Sequence, residues 1–195
     1  MNLKKILILT LPPILVVISL FTPFWSISMK APFLQKPLTV EVYPLFGLKG
    51  DLKNVNVVNH YVGLGEIDPE HIPELKYIPL VYAGLIVLSV ATGLAFNRGR
   101  IFYILWGIYV VLLAAVPLYA YVWMYNYTHT INPGAPIEIE PFDPPFFGFH
   151  KIANFYITSY LGPAFFLPLA AAIIQIYPRI KRRRRAEKWK EAETR

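Results

Sequence analysis

Four uncharged, predominantly apolar stretches divide the chain: Ile6 to Trp25, Ile78 to Phe96, Ile101 to Tyr125 and about Asn154 to Tyr177. A helix needs roughly 20 such residues to cross a bilayer at 1.5 Å per residue, so each stretch is predicted to be a transmembrane helix. Pro12, Pro13, Pro117, Pro163 and Pro168 fall inside these blocks. In lipid, prolines are tolerated where neighbouring helices satisfy the freed carbonyls, so they predict kinks rather than loops. The first stretch also has features of a cleavable signal, with Lys4 and Lys5 before it and Ser26-Ile27-Ser28 after it. Its long apolar run and the bulky Trp25 favour a retained anchor.

The connecting segments are patterned differently. Leu38-Thr39-Val40-Glu41-Val42-Tyr43 alternates apolar and polar side chains with β-branched enrichment, which predicts a strand. Gly47 to Asp51 is turn chemistry, and Leu52 to Val58 reads as a second strand. Asp68-Pro69-Glu70 has the form of a helix N-cap followed by proline at the first helical position. Segment 126–153 is rich in proline and is expected to run extended. Trp25, Tyr77, Trp123, Tyr125 and Tyr127 gather at one set of span boundaries, as in an interfacial aromatic belt. The expected fold is an all-α membrane protein: one domain of four transmembrane helices with a small β-containing extracytoplasmic cap.

Composition agrees with this class. Hydrophobic residues make up 55% of the 195 and charged residues only 16%, against about a quarter charged in soluble domains. The net charge of +7 separates by side. The N-terminus, the link 97–100 and the tail 178–195 hold thirteen of nineteen basic residues and three acidic ones, giving +10. Segments 26–77 and 126–153 hold six basic and nine acidic residues, giving −3. Lys and Arg accumulate on the cytoplasmic side, so a multi-pass protein of the cell membrane with both termini inside is expected. The run Lys181 to Arg185 reads as a topology anchor on acidic lipid headgroups. No base-reading module accompanies it, so no nucleic-acid partner is expected.

The absence of cysteine excludes thiol catalysis, disulfides and cysteine metal sites. No phosphate-binding glycine loop, nucleophile elbow or zinc-protease pair occurs. The predicted spans carry no Asp, Glu, Lys, Arg or His inside, unlike a proton-driven transporter. No enzyme is expected. All four histidines (His60, His71, His129 and His150) lie in the cap segments. His71 and His150 read as capping or surface residues. His60 and His129, in polar–aromatic clusters beside predicted membrane boundaries, are the candidate metal ligands, with Met29 and Met124 as weaker thioether candidates. Imidazole with thioether suits copper.

Asn59-His60-Tyr61-Val62-Gly63 resembles a phrase of a family of small, uncharacterised four-span membrane proteins, in which it usually reads Leu-Asn-His-Tyr-Ile-Gly-Met. Thr128-His129-Thr130-Ile131-Asn132-Pro133 is similar to a second phrase of that family, Gly-His-Asn-x-Asp-Pro. Pro144-Pro145-Phe146-Phe147-Gly148 with Asn154-Phe155 is similar to a third. Members are often encoded beside maturation factors for nitrous oxide reductase, a copper enzyme. The resemblance implies a non-enzymatic membrane accessory protein that binds copper through His60 and His129 for cuproenzyme assembly. Leu64 replaces the family's methionine, and Asn132 replaces its acidic residue. The alternative is a structural or assembly subunit that docks a protein partner and has no ligand of its own.

Overall fold

The computed structural model describes residues 3–152 and 154–193. Three helical stretches are long and apolar enough to cross a membrane: Pro73–Asn97, Gly99–His129 and Pro163–Arg182. They mark a multi-pass membrane protein. The helices proper are α1 (Leu3–Ser19), α2 (Leu52–Val62), α3 (Ile78–Leu94), α4 (Gly99–His129) and α5 (Pro163–Glu193). The strands are β1 (Trp25–Lys30), β2 (Leu38–Tyr43), β3 (Gly47–Gly50), β4 (Gly148–Ile152) and β5 (Phe155–Leu161). The first expected span, 6–25, is shorter as a helix, because α1 covers only about 25 Å at 1.5 Å per residue.

The helix α1 stops for local reasons. Pro23 disfavours helical backbone at Thr22, and Ser19 and Thr22 turn their hydroxyls onto the Val16 and Ser19 carbonyls at 2.6 and 3.1 Å. Trp25, the expected last residue of that span, instead opens β1. The fourth expected span, 154–177, likewise divides. Phe155, Ile157, Ser159 and Leu161 alternate with Tyr156, Thr158 and Tyr160, the period of a strand, and the helix begins only at Pro163. Gly162 joins the two where a Cβ would come within 2.1 Å of the Pro23 carbonyl oxygen. Its N–H donates to Phe24 O at 2.7 Å, and Ala164 N–H donates to Pro23 O at 3.1 Å. The end of α1 and the start of α5 are thereby locked together.

The strands form one antiparallel sheet in the order β3-β2-β1-β5-β4. The expected strand 38–43 is β2, and the expected turn 47–51 supplies β3. Register places Trp25 beside Val42 and Leu161, Ile27 beside Val40 and Ser159, and Met29 beside Leu38 and Ile157. This inner face is largely apolar. On the outer face Ser26 donates to Glu41 at 3.1 Å, and Thr39 donates to Ser28 at 3.2 Å.

Leu52 to Val58, expected as a strand, belongs to the helix α2. Val55, Val58, Asn59 and Val62 are buried, a spacing of three and four that makes one helical face. The three valines pack with Leu38, Val40, Phe155 and Ile157. Asp68 caps no helix. Its carboxylate accepts the Glu70 N–H at 2.9 Å and bonds His71 Nδ1 at 2.6 Å, closing a turn before a short 3-10 segment, Pro73–Lys76. Segment 130–147 runs without regular structure, as its prolines require.

The long helices pack through Val16, Tyr82, Leu85, Tyr109, Leu113, Ala164, Ala171 and Ala172. Pro168 offers no N–H to the Ala164 carbonyl one turn earlier. Tyr82 Oη donates to that carbonyl instead, at 2.9 Å. Tyr109 Oη donates to Pro168 O at 2.9 Å, and Trp106 Nε1 donates to Ala172 O at 3.0 Å. At the opposite end from the sheet, the Arg179 guanidinium lies 4.8 Å from the Phe102 ring centroid and donates to Gly99 O at 3.4 Å.

Candidate functional site: an apolar cavity beneath the cap

The inner face of the sheet does not rest fully on the helices. Between them lies a cavity of about 630 Å³, within the roughly 300–1,000 Å³ typical of small-molecule sites. Trp25, Ile27, Met29, Val40, Val42 and Ile157 form its roof. Val55, Asn59 and Leu64 form one side, and Phe142, Pro145 and Phe146 another. Tyr77, Ile78 and Val81, at the start of α3, and the stretch of α4 from Leu112 to Thr128 form its lower wall.

Several of the few polar side chains on these walls are already engaged. Tyr127 Oη donates to Gly65 O at 2.7 Å, and Thr128 Oγ1 donates to Tyr125 O at 3.2 Å. Asn59 Nδ2 donates to Asn56 Oδ1 at 3.4 Å, and Tyr119 Oη donates to Glu74 Oε1 at 2.9 Å. Trp25 Nε1 donates to Phe146 O at 2.9 Å, with the two rings stacked at 5.7 Å. Hydrocarbon therefore dominates the surface that faces the void. Water gains little in such a space, whereas an apolar molecule loses its own hydration on entering.

The candidate ligands separate. Met29 and Met124 come from distant parts of the chain and both line the cavity, Met29 half-buried and Met124 buried. His60 and His129 are exposed. The Nδ1–H of His129 donates to Tyr125 O at 2.8 Å, and its ring stacks on Tyr125 at 3.9 Å. His71 is engaged with Asp68, and His150 Nε2 donates to Phe147 O at 2.9 Å. Among the described residues, no group of three or more His, Cys, Asp and Glu side chains is placed to hold a metal ion.

The phrase Asn59-His60-Tyr61-Val62-Gly63 has a backbone role. Gly63, at φ +79°, ends α2, with Gly63 N–H donating to His60 O at 3.4 Å and Leu64 N–H donating to Asn59 O at 2.9 Å. This pair of bonds is a Schellman cap. Asn132 N–H then donates to Gly63 O at 2.8 Å, and Ile137 N–H donates to Tyr61 O at 3.0 Å. The two histidine-bearing ends are thus tied through backbone.

Sequence reasoning did not single out Tyr119, Glu74 or the valines of β2 for this site. The available signal was the aromatic belt, since Trp25, Tyr77, Trp123 and Tyr127 of that group all line the cavity. No protein-family model, curated protein or solved structure matches the chain.

Proposed function

We propose that this chain is a non-enzymatic accessory protein of the cell membrane, with both termini cytoplasmic, that holds an apolar molecule between its extracytoplasmic cap and its helices. The observation that carries this reading is the cavity of about 630 Å³, lined mostly by hydrocarbon, in which the Tyr119, Tyr127 and Thr128 hydroxyls are already hydrogen-bonded. Its lining is overwhelmingly hydrocarbon, so binding is the function the geometry supports best. Trp25 and Trp123 in the wall make the test direct. A brominated hydrophobic probe added to detergent-solubilised protein is expected to quench their fluorescence saturably. Ala120→Phe, which fills part of the lining, is expected to weaken binding by about tenfold, a 1.4 kcal/mol loss. Equal quenching of wild type and variant, without saturation, would overturn the proposal.

Copper binding by His60 and His129 is a second proposal. The backbone ties between Gly63 and Asn132 favour it, as does the bond between His129 Nδ1 and Tyr125 O, since ligating imidazoles commonly hydrogen-bond through their other ring nitrogen. Copper titration of the wild type against the double variant His60→Ala, His129→Ala tests it. One equivalent bound by the former and none by the latter is expected; equal stoichiometry sinks it.

A further inference from the structure

We propose, resting on the cavity reading above, that the occupant is the hydrocarbon chain of a bilayer lipid, which enters sideways between α3 and α4 and leaves a hydrogen-bond-donating head at Glu74. The position of the opening carries the argument. Most wall residues are buried or half-buried, but Tyr77 is 62% exposed, Tyr119 is 53% exposed and Ala115 is exposed as well. Ala115 and Tyr119 are one turn apart on α4, and Tyr77 immediately precedes α3. The mouth therefore lies between these two helices.

Its depth follows from the helix rise. Counted from Ile101, the first residue after the charged link, Ala115 stands about 21 Å and Tyr119 about 27 Å along α4. Both fall within the roughly 30 Å hydrocarbon thickness of a bilayer. The mouth thus opens onto lipid tails rather than water. Below it the two helices approach each other, since a Cβ on Gly84 would stand 3.5 Å from Leu112 Cδ2. Leu112 and Val81 form the floor, and the space rises from there to the sheet. A long, narrow, flexible hydrocarbon fits a space with this entry and lining, and a rigid polar ligand does not.

At the rim, Glu74 is the one carboxylate among the lining residues. Tyr119 Oη already donates to its Oε1 at 2.9 Å. A head that donates, such as a hydroxyl or an ammonium, extends this arrangement, whereas a carboxylate head meets like charge.

The test uses the full-length chain in detergent with three amphiphiles of equal chain length, brominated mid-chain: an alcohol, an amine and a carboxylate. Saturable tryptophan quenching is expected for the alcohol and the amine, about tenfold tighter than for the carboxylate, as expected for one charge-assisted contact. Glu74→Gln is expected to level the three, and Ala115→Phe to slow their entry from nanodiscs while circular dichroism stays unchanged. Equal affinities in both wild type and Glu74→Gln would overturn the head assignment, and undiminished entry into Ala115→Phe would overturn the lateral route. Either result leaves the cavity reading standing, whereas absence of quenching by all three overturns both.

Discussion

Pro168 illustrates how single residues set the packing of the membrane helices. Its ring deprives the Ala164 carbonyl of a donor, and Tyr82 supplies one from a neighbouring helix at 2.9 Å. Tyr82→Phe keeps the ring and leaves that buried carbonyl without the hydroxyl. The variant is expected to lose about 1–3 kcal/mol, the cost of an unsatisfied buried group, read by denaturant titration in micelles. Asp68 acts at the surface. The Glu70 N–H above all, and then His71, hold its carboxyl below the ordinary range. The turn is therefore stabilised above the unfolded-chain value of about 3.9, and that contribution is lost as pH falls through the lower folded value. An NMR titration is expected to place the Asp68 midpoint below that of an unstructured Asp and to raise it in His71→Ala. An unchanged midpoint would remove the imidazole from the account. The same scale explains why the histidines were hard to read. His60 sits in a helix cap whose geometry needs Gly63, so the phrase around it carries backbone information whether or not the ring has a ligand.

The elements most legible in the sequence were those whose periodicity stood alone. Strand β2 alternates cleanly and has the expected bounds, Leu38–Tyr43. The helices α3 and α4 lie where unbroken hydropathy put them, with α4 running on through His129. Strand β5 was hidden because it adjoins an apolar helix and shares its lack of charge, so a hydropathy reading merges it with the span, whereas of β1 only Trp25 was drawn into the first span. Helix α2 was mistaken for a strand because Val55-Asn56-Val57 alternates locally, although Leu52, Val55, Val58 and Val62 fall on a helical face. The junction of β5 and α5 is where an element-level prediction is sharpest. Gly162→Ala would force a Cβ against the Pro23 carbonyl at 2.1 Å. A loss of about 2–4 kcal/mol is expected, in the upper range for single substitutions, with cap amides exchanging faster in hydrogen–deuterium exchange. Normal exchange in this variant would show that the crossing tolerates a side chain.

At the scale of the whole molecule, the charge contrast of +10 against −3 predicts its orientation. The chain has no cysteine of its own, so single cysteines report position without interference. Lys36→Cys and Glu138→Cys are expected to react with an impermeant maleimide from outside, and Arg98→Cys only after permeabilisation; the reverse pattern would invert the topology. Membrane class was legible because hydropathy is a local sum. The cavity was not, because its walls join residues from Phe24 to Ile157 that become neighbours only through sheet register and helix packing. The connectivity of those walls has a mechanical consequence. The roof strands β1 and β5 continue almost directly into α1 and α5, and backbone hydrogen bonds lock the crossing. The opposing wall, α3 and α4, belongs to a separate helical hairpin. The hydrogen bonds from Tyr82, Tyr109 and Trp106 to α5 carbonyls rivet that hairpin to α5, so a displacement of the hairpin is transmitted through α5 to the roof strand β5.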